Sequence, residues 1–179
     1  MESGGHASGE VSMTLYKYSS PAGCILLGST GNELCLCKWE AAYEQSAQQN
    51  TGKTVYGHDK IICETIKQLD EYFNVERTVF NLSLSINGTD FQQRVWQELA
   101  RIPYGTTITY GELARRIGNA KASRAVAMAC HNNPISIIIP CHRVIGSNGK
   151  LTGYAGGLDK KAILLDIENN LFTNYFKTT

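Results

Sequence analysis

Residues 107–134, TITYGELARRIGNAKASRAVAMACHNNP, do most to narrow the fold. The stretches 110–117 and 122–131 carry apolar residues at helical intervals, and Gly118-Asn119-Ala120-Lys121 between them reads as a turn. Asn132-Asn133-Pro134 stops the second helix, because asparagine tolerates the C-terminal positions and proline cannot continue the hydrogen-bond ladder. Two short helices about a glycine-containing turn form a helix-turn-helix pattern. On the second helix Arg124, Ala127, Met128 and His131 share one face by three-and-four spacing, while Val126, Ala129 and Cys130 face elsewhere, toward a core. Small residues at 122, 123, 125, 127 and 129 make this helix thin, so it can lie close to another backbone, of protein or of DNA. Arg115, Arg116 and Lys121 add positive charge that suits phosphate contacts or a solvated face equally well.

The first half of the chain has a different period. VSMTLYKYSS, GCILLGST and ELCLCKWE, within residues 11–39, are short β-type runs separated by Pro-Ala-Gly and Gly-Asn turn signals, which predicts antiparallel hairpins. Residues 41–57 are polar and predict a loop or frayed helix. Ile62, Ile66, Leu69 and Phe73 predict a helix over 59–73 with Asp59 as its N-cap. Residues 78–86, TVFNLSLSI, alternate like a strand or an extended crossover. The character changes at residue 88. NGTDFQQRVWQELARI opens with turn residues and continues as an amphipathic helix through Phe91, Val95, Trp96 and Leu99. The isoleucine run before Cys141 predicts an extended segment, and LDKKAILLDIENN a last helix over about 158–169. The expected class is α+β: an N-terminal α/β domain with a small antiparallel sheet over 11–87, then a mainly helical domain over 88–172. Residues 1–10 read as a disordered or tag-like leader and 173–179 as a tail.

With 179 residues the chain suffices for one sizeable domain or two small ones. A net charge of +1 means that any nucleic-acid site must be a local patch. No apolar run is long enough to cross a bilayer, and MESGGHASGE lacks the basic start and apolar middle of a signal peptide. A cytoplasmic protein is the expectation, nucleoid-associated if bacterial. The six cysteines form no CxxC pair and no zinc-ligand spacing, so no metal site is predicted and reduced thiols are expected.

Cys141 stands apart because His142 follows it directly in Pro140-Cys141-His142-Arg143. A thiol acts as a nucleophile only as thiolate, so a base must take its proton and a third group, usually a carboxylate, must orient that base. Glu168 is a candidate for the third group, although spacing alone does not select it. The tetrapeptide alone also fits a buried cysteine at a strand end beside an exposed histidine. Asn133 reads either as a helix cap or as the residue whose amide fixes the turn before the cysteine segment. Tyr154-Ala155-Gly156-Gly157 is a loop whose backbone can approach a small ligand, or a plain loop before a helix.

FQQRVWQELARIPYGTTITYGELA, SRAV, NNPI, IPCHRVIGSNGKLTGYAGGL and KKAILLDIE, in this order from about 91 to 168, resemble the O6-alkylguanine-DNA alkyltransferases (methylated-DNA–protein-cysteine methyltransferases). SPAGCILLGST and ELCLCKWE match more loosely. The resemblance implies a ribonuclease H-like N-terminal domain and a winged-helix-like C-terminal domain. It implies cofactor-free transfer of an alkyl group from guanine O6, and from thymine O4, to Cys141, once per molecule. In that reading His142 takes the thiol proton through a water, Glu168 polarises His142 and Asn133 braces the turn. Tyr110 donates to the guanine ring and presses on the backbone during extrusion. Val144, Tyr154, Ala155 and Gly156 line the base pocket. Ser123, Arg124, Ala127 and Met128 face the minor groove, with Arg124 filling the space left by the flipped base. The implied partner is double-stranded DNA carrying O6-alkylguanine, bound by a monomer. Where the family has glycine after Arg-Ala-Val, this chain has Ala127 followed by Met128, which predicts weaker DNA binding. An engineered self-labelling variant of the family would show the same change. A non-catalytic lesion-binding relative would lack Cys141.

Overall fold

The structure is a computed structural model that describes residues 12–46 and 54–169; the expected leader and tail lie outside them. Strands β1 (Met13–Ser20), β2 (Gly23–Ser29) and β3 (Leu34–Trp39) form the two antiparallel hairpins that the turn signals predict. Helix α1 (Glu40–Ser46) then leaves the sheet. Strand β4 (Thr54–Tyr56), unforeseen in the polar stretch, adds parallel to β1 and gives the order β3-β2-β1-β4. Helix α2 (Lys60–Phe73) starts at Asp59, whose carboxylate accepts the Ile62 N–H at 3.1 Å. Ile62, Leu69 and Phe73 are buried along its inner face, as their spacing requires.

Residues 78–86 are a crossover, not a strand of the sheet. They touch it at one parallel bridge, Leu34 to Leu84, where the Leu34 N–H donates to the Ser83 carbonyl and the Ser85 N–H to the Leu34 carbonyl. Helix α3 (Asp90–Leu99) opens on a reciprocal cap between Thr89 and Gln92. Strand β5 (Ile108–Thr109) leads into α4 (Tyr110–Arg116), and a turn leads to α5 (Ser123–His131). Strand β6 (Val144–Ile145) pairs parallel with β5, and α6 (Leu158–Glu168) closes the described chain.

The expected extended segment before Cys141 is absent. Residues 136–139 are turns, and Cys141–Arg143 is one turn of 3-10 helix. The Ile138 N–H reaches back to the Ser136 carbonyl, which places Ile137 at φ +71, a left-handed conformation that β-branched residues disfavour. The Cys141 N–H likewise reaches the Ile139 carbonyl across Pro140 at φ −82, ψ 65, an inverse γ-turn. The β-branched run misleads because Asn133, its own tight turns and a single bridge to the edge of β3, not a strand ladder, satisfy its backbone. At that edge the Cys37 N–H donates to the Pro134 carbonyl and the Ser136 N–H to the Cys37 carbonyl. An edge strand that would otherwise stand open thus fastens the elbow before Cys141.

One apolar cluster runs through both halves, from Ile25, Leu27 and Trp39 through Leu69 and Tyr72 to Trp96, Leu113, Val126, Ile139 and Leu164. Each such side chain contributes about 1.5–3 kcal/mol of burial, so the halves support one another. Among the described residues no helix is long and apolar enough to cross a membrane.

Candidate active site

Asn133 lies two residues past the end of α5, and its side chain gathers the turn segment around it. Its Nδ2 donates to the Ile139 carbonyl at 2.8 Å and lies 3.3 Å from Cys141 Sγ, while its Oδ1 accepts the Ile135 N–H at 3.0 Å. These contacts fit the reading of Asn133 as the residue whose amide fixes the turn, while Asn132, not Asn133, caps α5. Cys141 is buried, and that burial pushes its thiol above the ordinary range; the Asn133 amide and the Lys161 ammonium pull the other way.

His142 is fully buried, against the exposed histidine that the tetrapeptide alone allowed. Its Nε2 lies 2.6 Å from Glu168 Oε1. Burial holds the imidazole below its ordinary value, the Arg143 and Lys161 cations push the same way, and Glu168 opposes them. Burial alone would raise the Glu168 carboxyl, but the His142 hydrogen bond and the Arg143 guanidinium outweigh it and hold the group at about 2. An ionised carboxylate accepts only, so Nε2 carries the proton and Nδ1 keeps its lone pair. His142 Nδ1 is the buried side-chain nitrogen or oxygen left without a partner among the described residues.

Three residues of this site escaped the sequence reading. Arg143, inside the quoted tetrapeptide, grips Glu168 with Nε at 2.9 Å and Nη2 at 3.0 Å, and donates Nη1 to the Ile102 carbonyl at 2.6 Å. Lys161 is buried on α6, with Nζ donating to the Val144 carbonyl at 2.5 Å and the Thr152 carbonyl at 2.8 Å. It had a signal: Lys161, Leu164 and Glu168 fall on one helical stripe, so charges occupy core positions. Tyr72 comes from α2, 96 positions away, and donates to Glu168 Oε1 at 2.9 Å. No local pattern marks it.

The parallel pairing of β5 with β6 brings Tyr110, the first residue of α4, beside the chain that follows Cys141. The Tyr110 hydroxyl donates to the Thr152 carbonyl at 3.0 Å, and burial pushes the phenol up to about 12, so it stays a proton donor. Val144 is buried on β6. Tyr154 is buried and its hydroxyl accepts the Trp39 Nε1–H at 3.0 Å. Gly156 lies against the Trp39 indole, where a Cβ would come within 2.1 Å of the ring, so close packing fixes this glycine. Ala155 lines a cavity of about 270 Å³ with Lys38, His131 and Asn132. On α5, Arg124, Met128 and His131 are exposed, Ser123 and Ala127 half-buried, and Val126, Ala129 and Cys130 buried, the division the spacing predicts.

A buried thiol on a braced turn, a neutral imidazole pinned by a carboxylate and a helix-turn-helix define a class: proteins that bring a cysteine nucleophile to a large, helix-docked substrate. Comparison with known proteins narrows the class. The ribonuclease-like domain of 6-O-methylguanine DNA methyltransferase matches residues 13–86, and the DNA binding domain of the same family matches 90–170. A methylated-DNA–protein-cysteine methyltransferase of Methanosarcina acetivorans is 47% identical over 153 residues, 86% of this chain and 96% of the relative. One from Mycobacterium bovis is 46% identical over 153 residues, 84% of this chain and 89% of the relative. The crystal structure of Mycobacterium tuberculosis OGT in complex with DNA aligns with TM-score 0.79 at 41% identity, covering 89% of this chain and 94% of that one. The chain belongs to the 6-O-methylguanine DNA methyltransferase family.

Proposed function

We propose that this protein repairs DNA by moving the alkyl group of O6-alkylguanine, and of O4-methylthymine, onto Cys141, once per molecule and without a cofactor. The pairing of His142 Nε2 with Glu168, which leaves Nδ1 as an unpartnered acceptor, carries the reading. The Cys141 proton passes through a water to Nδ1, giving thiolate and imidazolium. The thiolate attacks the alkyl carbon, the S–C bond forms as the O6–C bond breaks, and the bonding pair leaves with the guanine. Tyr110 gives up the Thr152 carbonyl to donate its proton to a ring nitrogen of the leaving base, and the imidazolium proton restores the phenol. Asn133 holds the sulfur in line. Glu168 steadies the imidazolium, as the third group does in other nucleophile–base pairs.

In this reading α5 enters the minor groove, with Ser123, Arg124, Ala127 and Met128 toward the DNA. Arg124 fills the space of the flipped base, and Val144, Tyr154, Ala155 and Gly156 wall the pocket. The N-terminal domain spans 11–87 and the DNA-binding domain 88–172, a division that the family matches at 13–86 and 90–170 support. The protein works in the cytoplasm, where its DNA lies. The test is a titration of a duplex holding one O6-methylguanine. Lesion repaired should rise with protein to a one-to-one endpoint and stop; repair beyond one equivalent, or none, contradicts the reading.

A further inference from the structure

The hydrogen bonds that fix His142 do not end in the C-terminal half. Glu168 Oε1 accepts from His142 Nε2 at 2.6 Å, Tyr72 Oη at 2.9 Å and Arg143 Nη2 at 3.0 Å. Oε2 accepts from Arg143 Nε at 2.9 Å and from the Gly105 N–H at 3.1 Å. A carboxylate offers about four lone-pair directions, two per oxygen, so three donors compete at Oε1.

We propose that Tyr72 is a positioning residue for alkyl transfer: through its hydroxyl the N-terminal half sets the orientation and the proton affinity of His142. The inference rests on the alkyl-transfer reading above. Tyr72 is fully buried, with its ring edge-on to Phe73 and Tyr104 at 5.4 and 6.2 Å and tilted against Phe80 at 5.5 Å, so the hydroxyl has one direction open to it. A ring that only filled the core would need no hydroxyl, and phenylalanine would serve. The phenol is pushed well above its ordinary value by burial and by Glu168, so it donates throughout the working range.

Its effect on His142 follows from competition at Oε1. A donor that shares this oxygen weakens its hold on the Nε2–H and lowers the proton affinity of the imidazole. Removing the Tyr72 hydroxyl leaves the oxygen to His142 and Arg143, and the imidazolium gains. The ionisable and charged groups around this pair are Tyr72 from α2, Tyr104 from the segment before β5, Cys141 and Arg143 beside His142, and Lys161 and Glu168 from α6. Of these groups, Tyr72 is the one that the N-terminal half supplies among the described residues.

The experiment is single-turnover methyl transfer from an O6-methylguanine duplex, followed against pH in the wild type, in Tyr72→Phe, and with 3-fluorotyrosine incorporated at position 72 as a stronger donor. Wild-type transfer is the control for the function itself, and its absence would defeat that reading whatever the variants do. With wild-type transfer present, the acid limb of the profile should move up by about half a pH unit or more in Tyr72→Phe and down with fluorotyrosine, while affinity for undamaged duplex stays unchanged. Should Tyr72→Phe not fold, the fluorotyrosine shift decides. Superimposable limbs, or a rate loss uniform in pH, overturn the inference.

Discussion

Five donors meet the Glu168 carboxylate, and their convergence has a consequence for acid stability. The folded group titrates at about 2 against an ordinary 4.5, and a depressed carboxylate stabilises the fold above its unfolded value and stops doing so as pH falls through the folded one. The contribution is about 3 kcal/mol, lost between roughly pH 5 and pH 2. His142, held below its ordinary value, adds a loss in the same direction as pH falls through 6.5 and below. Denaturant unfolding of Glu168→Gln across this range should show lower stability at neutral pH and a flatter acid limb; a slope equal to the wild type would refute the assignment. At this scale the sequence was readable where chemistry is local. Cys141, His142 and Asn133 lie within nine positions, and their types declare a nucleophile, a base and an amide brace. Glu168 was one candidate among the carboxylates, because a helical stripe and a fold had to bring it back. Tyr72 was unreadable, because nothing within its own helix distinguishes its hydroxyl from any other buried tyrosine.

Among the elements, α5 meets the DNA in this reading, and the unpaired positive charges of the helix-turn-helix are fewer than the sequence counts. Arg115 and Arg116 pair with Glu112 on α4, and Arg116 also approaches Glu98. That leaves Arg124 and Lys121, which make no ion pair among the described residues, as the better phosphate ligands. Met128 is 61% exposed beside Ala127, so its side chain stands between the helix and any backbone it approaches. The double variant Ala127→Gly, Met128→Gly should bind duplex more tightly in an anisotropy titration, despite losing about 1 kcal/mol of helix propensity per glycine. Unchanged affinity would remove bulk on this face as the limit. Helix periods made α2 through α6 legible, because amphipathic spacing is local physics; of the caps, the sequence pointed to Asp59 but not to Thr89 or Thr109. The isoleucine run was not, since its partners are an amide side chain and a sheet edge about a hundred positions upstream.

For the whole molecule, both halves share one core, and the N-terminal half contributes to the site at Trp39 and Tyr72. The antiparallel hairpins and the change of character near 88 were visible as a change of period. The packing of one half on the other was not, because apolar residues do not name their partners. Since Cys141 is buried in this shared core, an added alkyl group must displace packed neighbours, and overpacking costs typically about 1–3 kcal/mol. The alkylated protein should therefore melt below the free protein in a calorimetric scan, and an equal or higher midpoint would mean the site has room to spare. Everything in this reading depends on Cys141 keeping the alkyl group. Intact mass after incubation with an O6-methylguanine duplex tests it most directly, with peptide mapping to locate the change. One methyl is expected on Cys141 and none in Cys141→Ser; an unchanged mass with the lesion still bound would refute transfer.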